Sequence, residues 1–131
     1  MFSVGEINIF VTDLEPALKF WAEGLQLDVA EKEQLEHSAY ARLDFADGSP
    51  SIRVFAQADA WRAGERPVYG TRPMIAFDVT TTDFDAALAR LIEFGGSKAG
   101  EVEVYDGVRC VFVADPDGNT IELVEVPAGD E

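Results

Sequence analysis

The chain has 131 residues, 47% of them apolar, and a formal net charge of −15. This is enough for one ordinary domain with its own core. It leaves no basic stripe for nucleic acid, no apolar run near the roughly 20 residues that cross a bilayer, and no basic signal-peptide start in MFSVGEINIF. The single cysteine, Cys110, cannot form an internal disulfide, and a cytoplasmic protein is expected.

The first strand is read in "EINIFV", where Glu6, Asn8 and Phe10 share one face and Ile7, Ile9 and Val11 the other. A helix follows. Leu14, Ala17, Leu18 and Trp21 fall at i, i+3, i+4, i+7, with Pro16 in the first turn and Gly24 near the end. Two strands are expected within Leu25–Lys32 and Ser38–Phe45. In the second of these, Tyr40, Arg42 and Asp44 share a face whose direction alternation alone leaves open. "FADGSPSIRVF" then gives a glycine turn and a strand with Ser51, Arg53 and Phe55 opposite Ile52 and Val54. A connector at 57–72 carries Trp61 and Tyr69. Trp61 is either the anchor of a surface linker or the wall of a pocket mouth.

The same order recurs. "MIAFDV" sets Met74, Ala76 and Asp78 against Ile75, Phe77 and Val79. A helix with Phe84, Ala87, Leu88 and Leu91 on one stripe stops at Gly95-Gly96. Strands over Glu101–Tyr105 and Val108–Ala114 are joined by Asp106-Gly107, a strong hairpin signal. The direction of Arg109 stays open. "ADPDGNTIELVEV" ends the series with a tight turn and a strand in which Thr120, Glu122 and Val124 share a face. The expected class is therefore α+β, a single domain of residues 1–131. It is built from two tandem βαβββ modules at about 4–56 and 73–127, each too small to bury its own sheet well.

Two such modules ending in "VFVADPDGNTIELVE", with "KFWAEGLQLDV" in the first helix, resemble the vicinal oxygen chelate superfamily, the glyoxalase, bleomycin-resistance and extradiol dioxygenase fold. In the helix segment Gln26 stands where that family usually has glycine. The resemblance implies a cup-shaped mixed sheet with helices on its outer face, and a homodimer. In metal-dependent members four cup-facing positions hold a divalent ion. Here those positions fall on Glu6, Arg53, Met74 and Glu122. Arginine is not an ordinary ligand, a thioether suits soft metals, and the only histidine, His37, lies elsewhere. No metal and no cofactor are expected. The guanidinium of Arg53 is expected to stand in for the ion between Glu6 and Glu122, as a buried pair costing about 3–5 kcal/mol to break.

The expected function is a metal-free small-molecule-binding protein sequestering a cationic or aromatic ligand in an acidic cup, similar to the bleomycin-resistance branch. Its candidate binding residues are Glu6, Phe10, Tyr40, Arg53, Phe55, Trp61, Met74, Asp78 and Glu122. The alternative is a lyase, isomerase or dioxygenase-like enzyme. It would use Glu6 or Glu122 as a general base with Arg53 on the oxyanion, or a metal on a non-standard set such as Glu6, Glu122 and Asp78.

Overall fold

The computed structural model describes residues 1–57 and 75–127. The chain divides into two compact units, Met1–Arg66 and Pro67–Glu131. The first unit runs β1 (Glu6–Val11), α1 (Leu14–Leu18) with a wider continuation at Lys19–Gly24, β2 (Asp28–Gln34), β3 (Ala39–Asp44) and β4 (Ser51–Ala56). Its sheet order is β1-β4-β3-β2, with β1 parallel to β4 and the rest antiparallel. The second unit runs β5 (Phe77–Thr81), α2 (Phe84–Glu93), β6 (Ser97–Lys98), β7 (Glu103–Tyr105), β8 (Val108–Ala114) and β9 (Thr120–Glu125). Here β5 is parallel to β9, β9 pairs β8, and β6 and β7 both pair β8. The short β6 and β7 together take the place that β2 holds in the first unit, as one strand interrupted at 99–102. Class α+β and the strand–helix–strand order follow the expectation; the strand expected over Glu101–Tyr105 begins at Glu103 instead, and a short strand at Ser97–Lys98 precedes it across Gly100.

In the first unit the apolar face of the sheet is closed by the helix. Val11, Ala41, Leu43, Ile52 and Val54 are fully buried, as are Ala17, Phe20 and Trp21. Side chains alternating along each strand put every second residue here. Leu14, Ala17, Leu18 and Trp21 all lie on the buried stripe. The helix departs from its simple period after Leu18. Leu25 N donates to Phe20 O and Leu27 N to Ala22 O, five residues back in each case. The wider turn brings Phe20 inside beside Trp21, the rings meeting edge to face at 5.0 Å and 83°. Asp13 caps the start by accepting from Glu15 N.

The end of that helix explains the family's glycine. Gln26 has φ +58°, in the left-handed region that costs a side chain about 1–2 kcal/mol. Gln26→Gly is expected to raise stability by about 0.5–1 kcal/mol, after the extra backbone entropy of glycine is subtracted. Thermal melts would read this as a rise of roughly 2–4 °C.

In the second unit Ile121, Leu123, Val111 and Val113 form the buried face, and Phe84 and Leu91 of α2 are buried with them. Ala87 and Leu88, expected on the same stripe, are half-buried. Asp83 accepts from Ala86 N at the start of α2, and Gly95, at φ +104°, ends it. Asp106 (φ +50°) and Gly107 (φ +80°) make the β7–β8 hairpin turn.

The direction of Arg109 is now fixed. It lies on the helix-facing side, where its guanidinium stacks 4.6 Å over the Phe84 ring. Its Nη2 is 2.9 Å from Glu125 Oε2 and its Nη1 is 3.0 Å from Asp85 Oδ1. One side chain thus ties β8, β9 and the first turn of α2. Hydrogen bonds from Arg109, side chain then backbone, hold the Glu125 carboxyl below the ordinary carboxylate range. A carboxyl depressed in this way stabilises the fold above its unfolded pKa, and that contribution is lost as pH falls through the lower folded value. Glu125→Gln is expected to melt a few degrees below the wild type at pH 7. The gap should close in melts taken at the acid end, below roughly pH 4.

Candidate functional site

The polar face of the first unit gathers most of the expected residues. In the β1–β4 register Asn8 opposes Arg53 and Phe10 opposes Phe55. In the β3–β4 register Tyr40 opposes Phe55 and Arg42 opposes Arg53. Tyr40 and Arg42, whose direction alternation left open, therefore stand on the same face as Glu6 and Arg53. The direction of β3 was ambiguous because both of its faces needed a partner strand to be told apart.

Arg53 is the centre of this face. Its Nε donates to Glu6 Oε1 at 2.9 Å, and its guanidinium lies 4.9 Å from the centre of the Tyr40 ring. The hydrogen bond to Glu6 raises the Arg53 pKa further above its ordinary value, so the group is a permanent cation. The pair is not deeply buried: the side chains keep 21% and 35% of their exposure. That corrects the expected cost of breaking it, because water screens a half-exposed pair. One oxygen of Glu6 is thus already engaged by the guanidinium.

Sequence reasoning missed a further member. Glu31 opposes Arg42, directly after a register shift between Val29 and Glu31 in β2. One extra residue at this bulge turns Glu31 toward the polar face. Its carboxylate accepts from Tyr40 Oη at 3.1 Å and from Arg42 Nη1 at 3.4 Å, and Arg53 Nη2 lies 3.9 Å away. Burial, and then the Glu31 carboxylate beside it, push the Tyr40 phenol above its usual range. Beside this network Phe10 and Phe55 stack at 5.5 Å and 15°, and Tyr40 tilts against Phe55 at 6.0 Å. Phe10 is 53% exposed. It lines the open surface of this face.

The second unit carries the remaining described candidates. Asp78 is exposed and opposes Glu122 across β5–β9, and Glu122 opposes Phe112 across β9–β8. A cavity of about 180 Å³ opens where β6 and β7 are interrupted, with Glu101, Glu103, Cys110, Phe112 and Glu122 among its walls. Cys110 is buried, as a small apolar residue would be. Glu122 owes its placement to the turn before it. The Asp115 carboxylate, 3% exposed, accepts from Asp117 N at 2.9 Å and Asn119 N at 2.7 Å, and Gly118 takes φ +88°. Trp61 and Met74 lie outside the described residues. His37 is exposed beside Glu36, in the turn between β2 and β3.

The donor set does not suit a divalent ion. At the position where a ligand is required, Arg53 offers only N–H donors and spends one on Glu6. Among the described residues, no group of three or more His, Cys, Asp and Glu side chains is placed to hold a metal.

The sequence profile of the Glyoxalase/Bleomycin resistance protein/Dioxygenase superfamily matches residues 3–123. The chain belongs to this superfamily. Solved structures agree on the fold. A glyoxalase family protein from Bacillus cereus is similar with TM-score 0.78 at 20% identity, over 98% of this chain and 96% of that one. A glyoxalase family protein from Enterococcus faecalis gives TM-score 0.72 at 20% identity, over 94% and 97%. TnmS3, an antibiotic binding protein from Streptomyces sp. CB03234, gives TM-score 0.66 at 23% identity, over 95% and 96%. No curated protein matches the sequence. Among the described residues no helix is long and apolar enough to cross a membrane.

Proposed function

We propose that this superfamily member is a metal-free small-molecule-binding protein that sequesters an aromatic ligand, with its acidity favouring one that also carries positive charge. The observation that carries the reading is Arg53. At a position where metal-dependent relatives place an ion ligand, a fixed cation pairs with Glu6 at 2.9 Å beside the half-open Phe10–Phe55 stack. Stacked rings supply affinity for a flat ligand, and carboxylates beyond those paired with Arg42 and Arg53 supply charge complementarity. The antibiotic-binding relative is one of the same fold. In this reading Asp78 and Glu122 of the second unit, and Trp61 and Met74 outside the described residues, stay candidate ligand residues. The protein would act as a cytoplasmic homodimer, the assembly being open to sedimentation.

The test is a thermal-shift series on the full chain with a bleomycin-type glycopeptide, benzylamine, and Mn, Zn and Fe salts. Expected is a melting rise with the aromatic compounds that Phe55→Ala removes, and none with the metals. A rise with a metal alone, retained in Phe55→Ala, overturns the reading.

A further inference from the structure

We propose that Arg42, Arg53 and Tyr40 form a carboxylate-recognition site that the chain closes with its own Glu31. The small molecule taken by this face would then carry a carboxylate on its aromatic ring. The proposal rests on the reading of this face as a ligand-binding surface, and it adds the chemical handle by which the ligand is held.

Two guanidinium groups and a phenol hydroxyl surround the Glu31 carboxylate. Tyr40 Oη donates to one oxygen, while Arg42 Nη1 and Arg53 Nη2 approach the other at 3.4 Å and 3.9 Å. Such donors match a planar carboxylate. Glu31 satisfies them poorly. Charge-assisted N–H···O bonds settle at about 2.7–2.9 Å, a distance that Arg53 does reach with Glu6 at 2.9 Å. Arg42 Nε is buried against Asp44 Oδ1 at 3.4 Å, so the open capacity lies on the Nη atoms that face Glu31. The two arginines therefore have binding capacity that Glu31 leaves unused.

Glu31 is also built to leave. It sits on β2, the edge strand of its sheet, directly after a bulge, and its side chain is 40% exposed. Rotating that side chain outward breaks no strand pairing. A carboxylate arriving on a rigid ring can seat between the arginines while the ring lies along Phe55, whose centroid is 6.0 Å from Tyr40 and 5.5 Å from Phe10. The displaced Glu31, with Glu33 opposite Tyr40, then faces any ammonium on the same ligand.

A site occupied by its own side chain has its apparent affinity cut by the fraction of time it is closed. The full chain is titrated calorimetrically with 2-naphthoate and with benzylamine, as wild type, Glu31→Gln, Arg42→Met and Tyr40→Phe. Circular dichroism confirms that each variant is folded. Naphthoate is expected to bind Glu31→Gln about tenfold more tightly than the wild type, to be lost in Arg42→Met, and to weaken several-fold in Tyr40→Phe, which removes one hydroxyl and no packing. Benzylamine is expected to bind Glu31→Gln no better than the wild type. Equal naphthoate affinity in wild type and Glu31→Gln overturns the proposal. So does naphthoate binding that neither Arg42→Met nor Tyr40→Phe alters. If benzylamine and the glycopeptide bind but naphthoate does not, the carboxylate site is wrong and the binding function stands. If no aromatic compound binds, both fall.

Discussion

Asp115→Ala is expected to cost about 3 kcal/mol, from hydrogen bonds to a charged group worth about 1.5–3 kcal/mol each. The carboxylate is buried and accepts from two backbone N–H groups, Asp117 and Asn119, and from Asn119 Nδ2 at 3.1 Å. Alanine removes the acceptor that those donors share in a tight turn. Asp115→Asn keeps one acceptor oxygen and should lose roughly half as much. In melts the alanine variant should fall by roughly 10 °C. The effect reaches beyond stability, because β9 begins at Thr120, immediately after the turn, and Glu122 is its third residue. A loosened turn releases the start of the strand that positions Glu122.

Arg53→Ala is expected to have a smaller effect on stability and the larger one on binding. A half-exposed pair with Glu6 contributes about 0.2–1 kcal/mol, and the contact with the Tyr40 ring adds about 0.5–1 kcal/mol. Together these predict a loss of about 1–2 kcal/mol, well under the cost of breaking a fully buried pair. Removing the cation also strips Glu6 of this ion pair and leaves Glu31 with Arg42 and Tyr40. Calorimetry with an aromatic carboxylate should then show at least a roughly tenfold loss of affinity, as expected for a charged hydrogen-bonding partner worth about 1.5–3 kcal/mol. Arg53→Lys, which keeps the charge but not the planar fork, should recover only part of it. Unchanged affinity in Arg53→Ala would remove this residue from the site.

Much of this arrangement is legible in the residue order, because alternation is a strict two-residue period. Glu6, Phe10, Arg53 and Phe55 share a face by that rule, and the β1–β4 register bears it out. Alternation stops short where a strand has polar residues on one side and small ones on the other. Tyr40 and Arg42 needed the pairing of β3 with β4 to acquire a direction. Glu31 was not visible at all. In "DVAEKEQ" no apolar rhythm marks a face, and the bulge after Val29 shifts everything beyond it by one position. Phe20 was missed for a related reason, since the helix widens after Leu18 and the simple stripe no longer describes it. Arg109 pointed to neither a ligand nor a metal. Its partners, Glu125 and Asp85, are distant in sequence, and only the packing of α2 on the β8–β9 pair brings them together. Gln26 was readable the other way round: a departure from a family glycine marks a backbone position that strains any side chain.

In each unit the strand made first is hydrogen-bonded in parallel to the strand made last, β1 to β4 and β5 to β9. A newly emerging N-terminal segment therefore waits on the ribosome with its edge groups unsatisfied until the fourth strand follows it out. Loop closure over that span is the slow kind of contact to form. Because the partner lies within the same half, however, the first ladder can be completed before synthesis of the second has finished. Two modules with this strand order thus complete their parallel ladders in series, which limits the time that either one exposes an unpaired edge to neighbouring chains.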